Sequence, residues 1–408
     1  MLYSMVEYQR AMIAAWADQS VAALLSPFNS FAYVPGAQDF ASRWKELLCR
    51  NTASDQPAFG IAAIDCDGVA VPVLERLVSE SPFCHLRRFE AARLEPRAEQ
   101  QATPIVLVCA PLAGHHAVLL RDVVQSLLQE HIVYVTDWTD ARHVPVSAGS
   151  FHLDDCVIHI RRFIREIDAG PLHVLAICQA TVPALGAVAL LASQGEPTPR
   201  SLTLLGGPID ARRNPTAIGR FASSYSLQWF RRNLVHVVPK PYAGAGRRVC
   251  PGFVQIAALG ATQVSALWDL YRESCLKLLC GDGGRKPASW QALLDYHAVL
   301  DLAADFYLDT VHSVFQEFQL ARGTWDVQGQ RVRPQDITNT ALLTIEGGLD
   351  DISGCGQTHA AHDLCHGIAR GDKRRVTASR CNHYDLFSGP AWRSQIFPRI
   401  RDVTRRYG

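Results

Sequence analysis

The sequence predicts an α/β fold, a mostly parallel sheet interrupted by a helical insertion. Three observations predict it. Between residues 104 and 207, apolar runs of strand length alternate with runs of helix length, the pattern of a parallel sheet covered on both faces. The alternation stops near Ile209 and gives way to an aromatic-rich stretch, 210–336. Strand-like runs then resume at 341–345 and 375–378.

In chain order, residues 1–95 read as helical, then mixed. Within 6–25, Tyr8, Met12, Ile13, Trp16 and Val21 recur at roughly helical spacing, which suits a helix facing a core or one lying on an apolar surface. Residues 105–110 form an apolar run of strand length, followed by a helix over 116–129 and a strand over 132–137. The spacing predicts a helix over 153–167, capped near Ser150, then a strand over 172–178 running straight into a helix over 181–193. A strand over 202–205 closes on Gly206 and Gly207. The stretch 210–336 carries Phe221, Trp229, Phe230, Trp268, Tyr271, Trp290, Phe306, Tyr307 and Phe315, with loops at 244–252 and 281–284. A helix over 391–407 ends the chain. The expected organisation is an extension (1–95) packing on the core, a first part of the core (96–209), a helical lid (210–336) and a second part of the core (337–408).

Composition bounds the function. With 408 residues, 48% hydrophobic and 19% charged, the chain can build a sizeable core. A net charge of +1 provides no global field to recruit nucleic acid or an anionic membrane. Twelve cysteines are scattered without a C-x-x-C pair. Residues 1–10 include Glu7 and lack the basic and apolar regions of a secretory leader. No run reaches the length of a membrane span. These features point to a cytoplasmic setting with free thiols.

The chemistry centres on Ala176-Ile177-Cys178-Gln179-Ala180, at the junction of strand 172–178 and helix 181–193. This is the context of the nucleophile elbow of α/β-hydrolases, usually G-x-S-x-G, with cysteine at the nucleophile position and small alanines flanking it. In this fold the acid and the base follow in that order. Asp350 follows the strand at 341–345 in a G-x-x-D turn, with Asp351 the alternative and Glu346 read as structural. His383 lies after the last strand and before the last helix, where the base is needed. The oxyanion hole would take the backbone N–H of Gln179 and a second N–H from the loop 111–116. Pro111 has none to donate, leaving Leu112, which is favoured, or Ala113.

Together these residues resemble the intracellular poly(3-hydroxybutyrate) depolymerases, cysteine-nucleophile α/β-hydrolases. The markers are Pro-Leu-Ala-Gly-His at 111–115, Thr-Asp-Trp-Thr-Asp-Ala-Arg at 136–142, Ile-Cys-Gln-Ala at 177–180 and Asp305-Phe306-Tyr307. They continue with Glu346-Gly347, Asp-Asp-Ile-Ser-Gly at 350–354, and His383-Tyr384 with Phe387-Ser388-Gly389. The resemblance covers nearly the whole chain; Cys355 departs from it and is expected to be a tolerated small side chain. It implies an α/β-hydrolase fold with a helical lid and a triad of Cys178, Asp350 and His383. It further implies a cytoplasmic enzyme on stored polyester granules that cleaves esters through a thioester, with the polymer as partner and no cofactor, metal, nucleic acid or membrane span. The oligomeric state is left open.

Polyhydroxyalkanoate synthases are related acyltransferases that usually keep glycines around the nucleophile, so Ala176 and Ala180 argue against that alternative. A small thiol esterase would lack so long a lid. A non-catalytic granule-binding protein would not need an ordered triad. His359, His362, Cys365 and His366 could share a helical face, yet no second shell announces a metal site. The run 243–247 is glycine-rich but joins no strand to a helix, so it is set aside as a phosphate loop. Asp140 and Arg142 are read as a structural tie.

Overall fold

A nine-stranded sheet organises the chain in the computed structural model, which describes residues 2–49, 58–92, 103–167, 170–260, 272, 295–296 and 298–408. Its strands are β1 (Ala63–Cys66), β2 (Val69–Glu80), β3 (Cys84–Ala91), β4 (Ile105–Cys109), β5 (Ile132–Trp138), β6 (Leu172–Ile177) and β7 (Ser201–Leu205). Five short strands follow: β8 (His236–Val237), β9 (Arg248–Cys250), β10 (Leu302–Ala303), β11 (Asp326–Val327) and β12 (Gln330–Arg331). The large sheet is completed by β13 (Ala341–Gly347) and β14 (Lys373–Ala378). Its order is β1-β2-β3-β5-β4-β6-β7-β13-β14. The strands from β5 to β14 run parallel, and β1 to β3 join antiparallel at one edge.

Of the runs predicted as strands, β4, β6, β7 and β13 are buried at every residue, as expected of parallel strands covered on both faces; β5 is buried past its first residue and β14, at the sheet edge, is largely open. No continuous apolar run spans strand β1, β2 or β3 in the sequence. They carry Glu75, Arg76, Arg87 and Arg88, and β2 is mostly exposed. An antiparallel edge with one wet face needs no continuous apolar run.

Helices α1 (Leu2–Leu24) and α2 (Ala37–Cys49) precede the sheet. Next come α3 (Arg121–Leu127), α4 (Leu153–Glu166) and α5 (Thr181–Ser193). On α4, Leu153, Cys156, Val157, Ile160, Phe163 and Ile164 are buried, the stripe that presses an amphipathic helix onto a sheet. The cap of α4 is His152, two residues beyond Ser150: Asp155 accepts the His152 N–H at 2.8 Å. Residues 181–191 of α5 are all buried, because this helix is enclosed on every side. Pro183 is tolerated there because it sits in the first turn, where N–H groups lack intrahelical partners.

The segment between β7 and β13 is mixed rather than purely helical. It contains α6 (Ala217–Ser224), α7 (Leu227–Asn233), the three-stranded sheet β10-β9-β8 and α8 (Gly252–Gly260). A helix over Ala304–Thr310 and the β11–β12 hairpin follow. Ala222, Phe230, Leu308 and Val311 form a small core of their own. Trp268, Tyr271, Trp290 and the loop at 281–284 lie outside the described residues.

A buried polar clamp ties the N-terminus to this segment. The Tyr3 hydroxyl donates to Asp301, which also accepts from the Gly252 N–H at 2.8 Å and from Arg142 at 3.3 Å. Arg142 in turn pairs with Asp140 at 2.8 Å, the structural tie expected of that stretch. The nine cysteines whose side chains are described are unpaired. Among the described residues, no helix is long and apolar enough to cross a membrane.

Candidate active site

Strand β6 ends at Ile177, and the chain turns sharply through Cys178, whose φ is +53°. A side-chain-bearing residue seldom adopts this conformation, and such strain persists only where its surroundings enforce it. The enforcement is visible. Thr181 donates its hydroxyl to the Cys178 carbonyl at 2.8 Å, Ala176 and Ala180 are buried on either side, and the turn feeds directly into α5. Gly207, just after β7, lies so close that a Cβ there would sit 1.8 Å from Thr181 Oγ1 and 2.4 Å from the Cys178 carbonyl oxygen. Strand β7 can thus brace the turn only because this residue has no side chain.

The loops after the last two strands of the sheet bring the other two predicted residues together. Asp350 follows β13 and His383 follows β14. His383 Nδ1 and Asp350 Oδ2 are 2.8 Å apart, and both side chains are buried. The second carboxylate oxygen accepts the N–H groups of Ile352 at 2.9 Å and Ser353 at 2.8 Å, so the carboxylate is held from both sides. Asp351 is exposed. Glu346 is buried and accepts from the N–H groups of Gly356 and His359, each at 2.7 Å, a structural role. Cys355 is exposed, as a tolerated side chain would be.

Cys178 lies within hydrogen-bonding reach of His383. Burial acts to lower the basicity of this imidazole, but the negative charges of Cys178 and Asp350 outweigh it and hold the pKa well above the usual histidine value. An imidazole so placed can take a proton from the thiol and keep it.

The two predicted oxyanion donors also meet, in a way the sequence did not foretell. Gln179 opens the helical turn after Cys178, where backbone N–H groups lack intrahelical acceptors. The Leu112 N–H is engaged: it donates to the Gln179 side-chain carbonyl at 3.3 Å. A buried N–H needs a partner while no substrate fills the site. The loop carrying Leu112 is fixed at its root, where Trp138 Nε1 donates to the Ala110 carbonyl at 2.8 Å.

Cys178, Gln179 and His383 open onto a cavity of about 600 Å³. Its wall is mostly apolar and includes Leu119, Phe221, Phe230, Phe306, Phe315 and Phe387. Tyr384 and His115, joined by a 2.8 Å hydrogen bond, also line it. Neither was chosen from the sequence as a site residue; the available signal was that Tyr384 adjoins the predicted base.

Two of the set-aside histidines and Arg247 of the set-aside glycine-rich run have structural partners. Thr344 hydrogen-bonds both His359 and His362, at 2.7 and 2.8 Å. Arg247 donates to the carbonyls of Val144 and Gly149, each at 2.8 Å.

Residues 206–408 match the family model described as the C-terminus of PHB de-polymerase. The chain belongs to the PHB depolymerase family. The matched part begins at Gly206, within the brace of the elbow, and contains Asp350 and His383; Cys178 and Leu112 lie upstream of it. No curated protein matches this PHB depolymerase-family chain. Among solved structures, a hypothetical protein from Pseudomonas aeruginosa aligns with a TM-score of 0.46 at 12% identity, over 87% of this chain and 98% of that one. A carboxylesterase from Nitrososphaera gargenis aligns at 0.43 and 11% identity, over 82% of this chain and 99% of its own. An esterase from Pyrobaculum calidifontis aligns at 0.41 and 10% identity, over 85% and 87%.

Proposed function

We propose that this chain hydrolyses the ester bonds of stored poly(3-hydroxybutyrate), with Cys178 as nucleophile, His383 as base and Asp350 as the acid that orients it. The observation that carries the reading is the 2.8 Å His383–Asp350 pair beside a cysteine held at positive φ, in a chain of this family.

The cycle follows from these positions. Asp350 holds Nδ1 of His383, so Nε2 faces the thiol. With its proton passed to Nε2, Cys178 attacks through Sγ at the ester carbonyl carbon, and the carbonyl oxygen becomes an oxyanion. The Gln179 N–H stabilises that charge, and the Leu112 N–H, shared with the Gln179 side-chain carbonyl, is the second donor. Collapse expels the alcohol end of the chain, which takes the proton from His383, leaving a thioester on Cys178. Water then gives a proton to His383 and attacks the thioester. The second collapse returns that proton to sulfur and releases the carboxylic acid.

An insoluble polyester must be met at its surface. On α1, Leu2, Met5, Tyr8, Met12, Ile13 and Trp16 are all exposed, and helical spacing gathers them on one face. A patch of this kind marks a contact with another apolar surface, which here is the granule. The segment between β7 and β13, with its apolar cavity wall, serves as the lid over the acyl chain. The working site is the cytoplasm, where such granules are stored.

The test is incubation of the purified protein with native amorphous polyester granules. Soluble 3-hydroxybutyrate or its short oligomers should appear, and Cys178→Ala should bind granules without releasing them. Polymer growth from hydroxybutyryl-coenzyme A, or full activity in Cys178→Ala, would sink the reading.

A further inference from the structure

The wall of the cavity beside Cys178 is mostly apolar, and three of the polar side chains on it end in an atom without a hydrogen bond. Gln179 is 8% exposed, Thr310 7% and Ser353 3%, and all three contribute to the cavity wall. The Nε2 of Gln179, Oγ1 of Thr310 and Oγ of Ser353 are each buried without a hydrogen bond. Such an atom costs about 1–3 kcal/mol, and three on one wall are hard to explain as packing.

Their chemistry is uniform, since each can donate. The orientation of the Gln179 carboxamide follows from its other end: the carbonyl oxygen accepts the Leu112 N–H, and the reversed amide would set donor against donor. The free end of Gln179 is therefore an N–H group one residue from the nucleophile. Ser353 lies three residues beyond Asp350, on the loop that holds the acid. Thr310 ends the helix Ala304–Thr310, in the segment between β7 and β13. Three separate parts of the chain thus each bring one unsatisfied donor to the same apolar space.

We propose that Gln179, Ser353 and Thr310 determine acyl-chain specificity by donating hydrogen bonds to oxygen atoms carried along the chain. A hydrocarbon acyl chain of equal length leaves all three unpaired. A chain with an ester or hydroxyl oxygen near the scissile carbonyl satisfies them, and a site built around buried polar groups rejects the ligand that lacks them. The volume, about 600 Å³, falls in the range that encloses a ligand of many heavy atoms, so there is room for oxygens beyond the reacting ester. The assignment rests on the reading of Cys178 as the nucleophile of an ester hydrolase.

The experiment compares kcat/KM for two soluble esters, 4-nitrophenyl 3-acetoxybutyrate and 4-nitrophenyl hexanoate, in the wild type and in Gln179→Met, Ser353→Ala and Thr310→Val. Each substitution should lower the preference for the oxygenated ester roughly tenfold. Ser353→Ala and Thr310→Val should also leave the melting temperature equal or higher, because each removes an orphan polar atom, whereas Gln179→Met also strips the Leu112 N–H of its acceptor and is read on the preference alone. A preference unmoved in all three variants overturns the assignment alone. So does a lower melting temperature with equal losses on both esters, the mark of a structural role. A wild type that cleaves neither ester overturns the catalytic reading and this assignment with it.

Discussion

His383 Nδ1 and Asp350 Oδ2 lie 2.8 Å apart, with both side chains withdrawn from solvent. Because the other Asp350 oxygen accepts two backbone N–H groups, the carboxylate cannot rotate away without leaving buried donors unpaired. The imidazole is thereby fixed in one tautomer, with Nε2 free for the thiol. Asp351, one residue on, faces solvent.

Asp350→Asn should therefore cost three to four orders of magnitude in kcat, about the effect of giving a triad histidine the wrong tautomer. Asp351→Asn, a surface change, should stay within about twofold of wild type. Steady-state kinetics on a soluble ester decide the matter, and a larger loss in Asp351→Asn would reassign the acid.

The same pair governs a titration. The negative charges of Cys178 and Asp350 hold the His383 pKa up against burial. Removing an anion beside a cation lowers the cation's pKa. Cys178→Ala should lower the His383 pKa, and Asp350→Asn should lower it as well, each read from the imidazole signals in an NMR pH titration. An unchanged value in Cys178→Ala would mean that the thiol does not pair with this histidine.

Much of this site is legible in the sequence because buried parallel strands are continuous apolar runs. Residues 105–109, 172–177 and 201–205 announce themselves in that way, and the order of the elements then places Cys178 and His383. Strand β2 does not announce itself: most of it is wet, and its pairing with β3 slips between Leu77 and Ser79, which breaks the alternation. Choosing Asp350 over Asp351 needs the turn itself, since only backbone geometry decides which neighbour faces the histidine. The engagement of Leu112 by Gln179 is a contact across 67 positions, set by loop packing that no local pattern encodes.

Two histidines away from the site make an acid-stability prediction. His173 has its pKa pushed down to about 4 by burial, helped by His131 and Arg200. His362 is likewise held at about 4 by burial, then by Arg375, His359 and Lys373. Unfolded, each would titrate near about 6.5. Between those values the unfolded chain binds more protons, so stability falls as pH drops through 6.5 and the loss levels off below 4. The expected loss is on the order of 2–3 kcal/mol for His173 and smaller for His362, where solvent screens the neighbouring charges. Denaturant melts at pH 7 and pH 4.5 measure it. His173→Asn, which keeps a donor for the Ser201 hydroxyl now 2.8 Å from Nδ1, should show a smaller drop; an equal drop would clear His173 of the effect.

Gly207 offers the sharpest test of how the elbow is braced. It is pinned on both sides: its N–H donates to Thr358 Oγ1 at 2.8 Å, and its carbonyl accepts from the same hydroxyl at 2.9 Å. It cannot retreat from an added methyl group, so Gly207→Ala must push the start of α5 and the Cys178 carbonyl outward. Gly195 is the control, because it has positive φ but nothing within 4 Å of an added Cβ. Gly195→Ala should cost about 1 kcal/mol, the backbone penalty alone, and spare activity. Gly207→Ala should cost about 3 kcal/mol or more from overpacking and lower kcat on a soluble ester by about a hundredfold, since a small misplacement of the nucleophile carries that penalty. Thr181→Ala in the same chain should restore little, because the Cys178 carbonyl is still in the way. Equal kinetics in the two glycine variants would mean that the elbow is held from elsewhere.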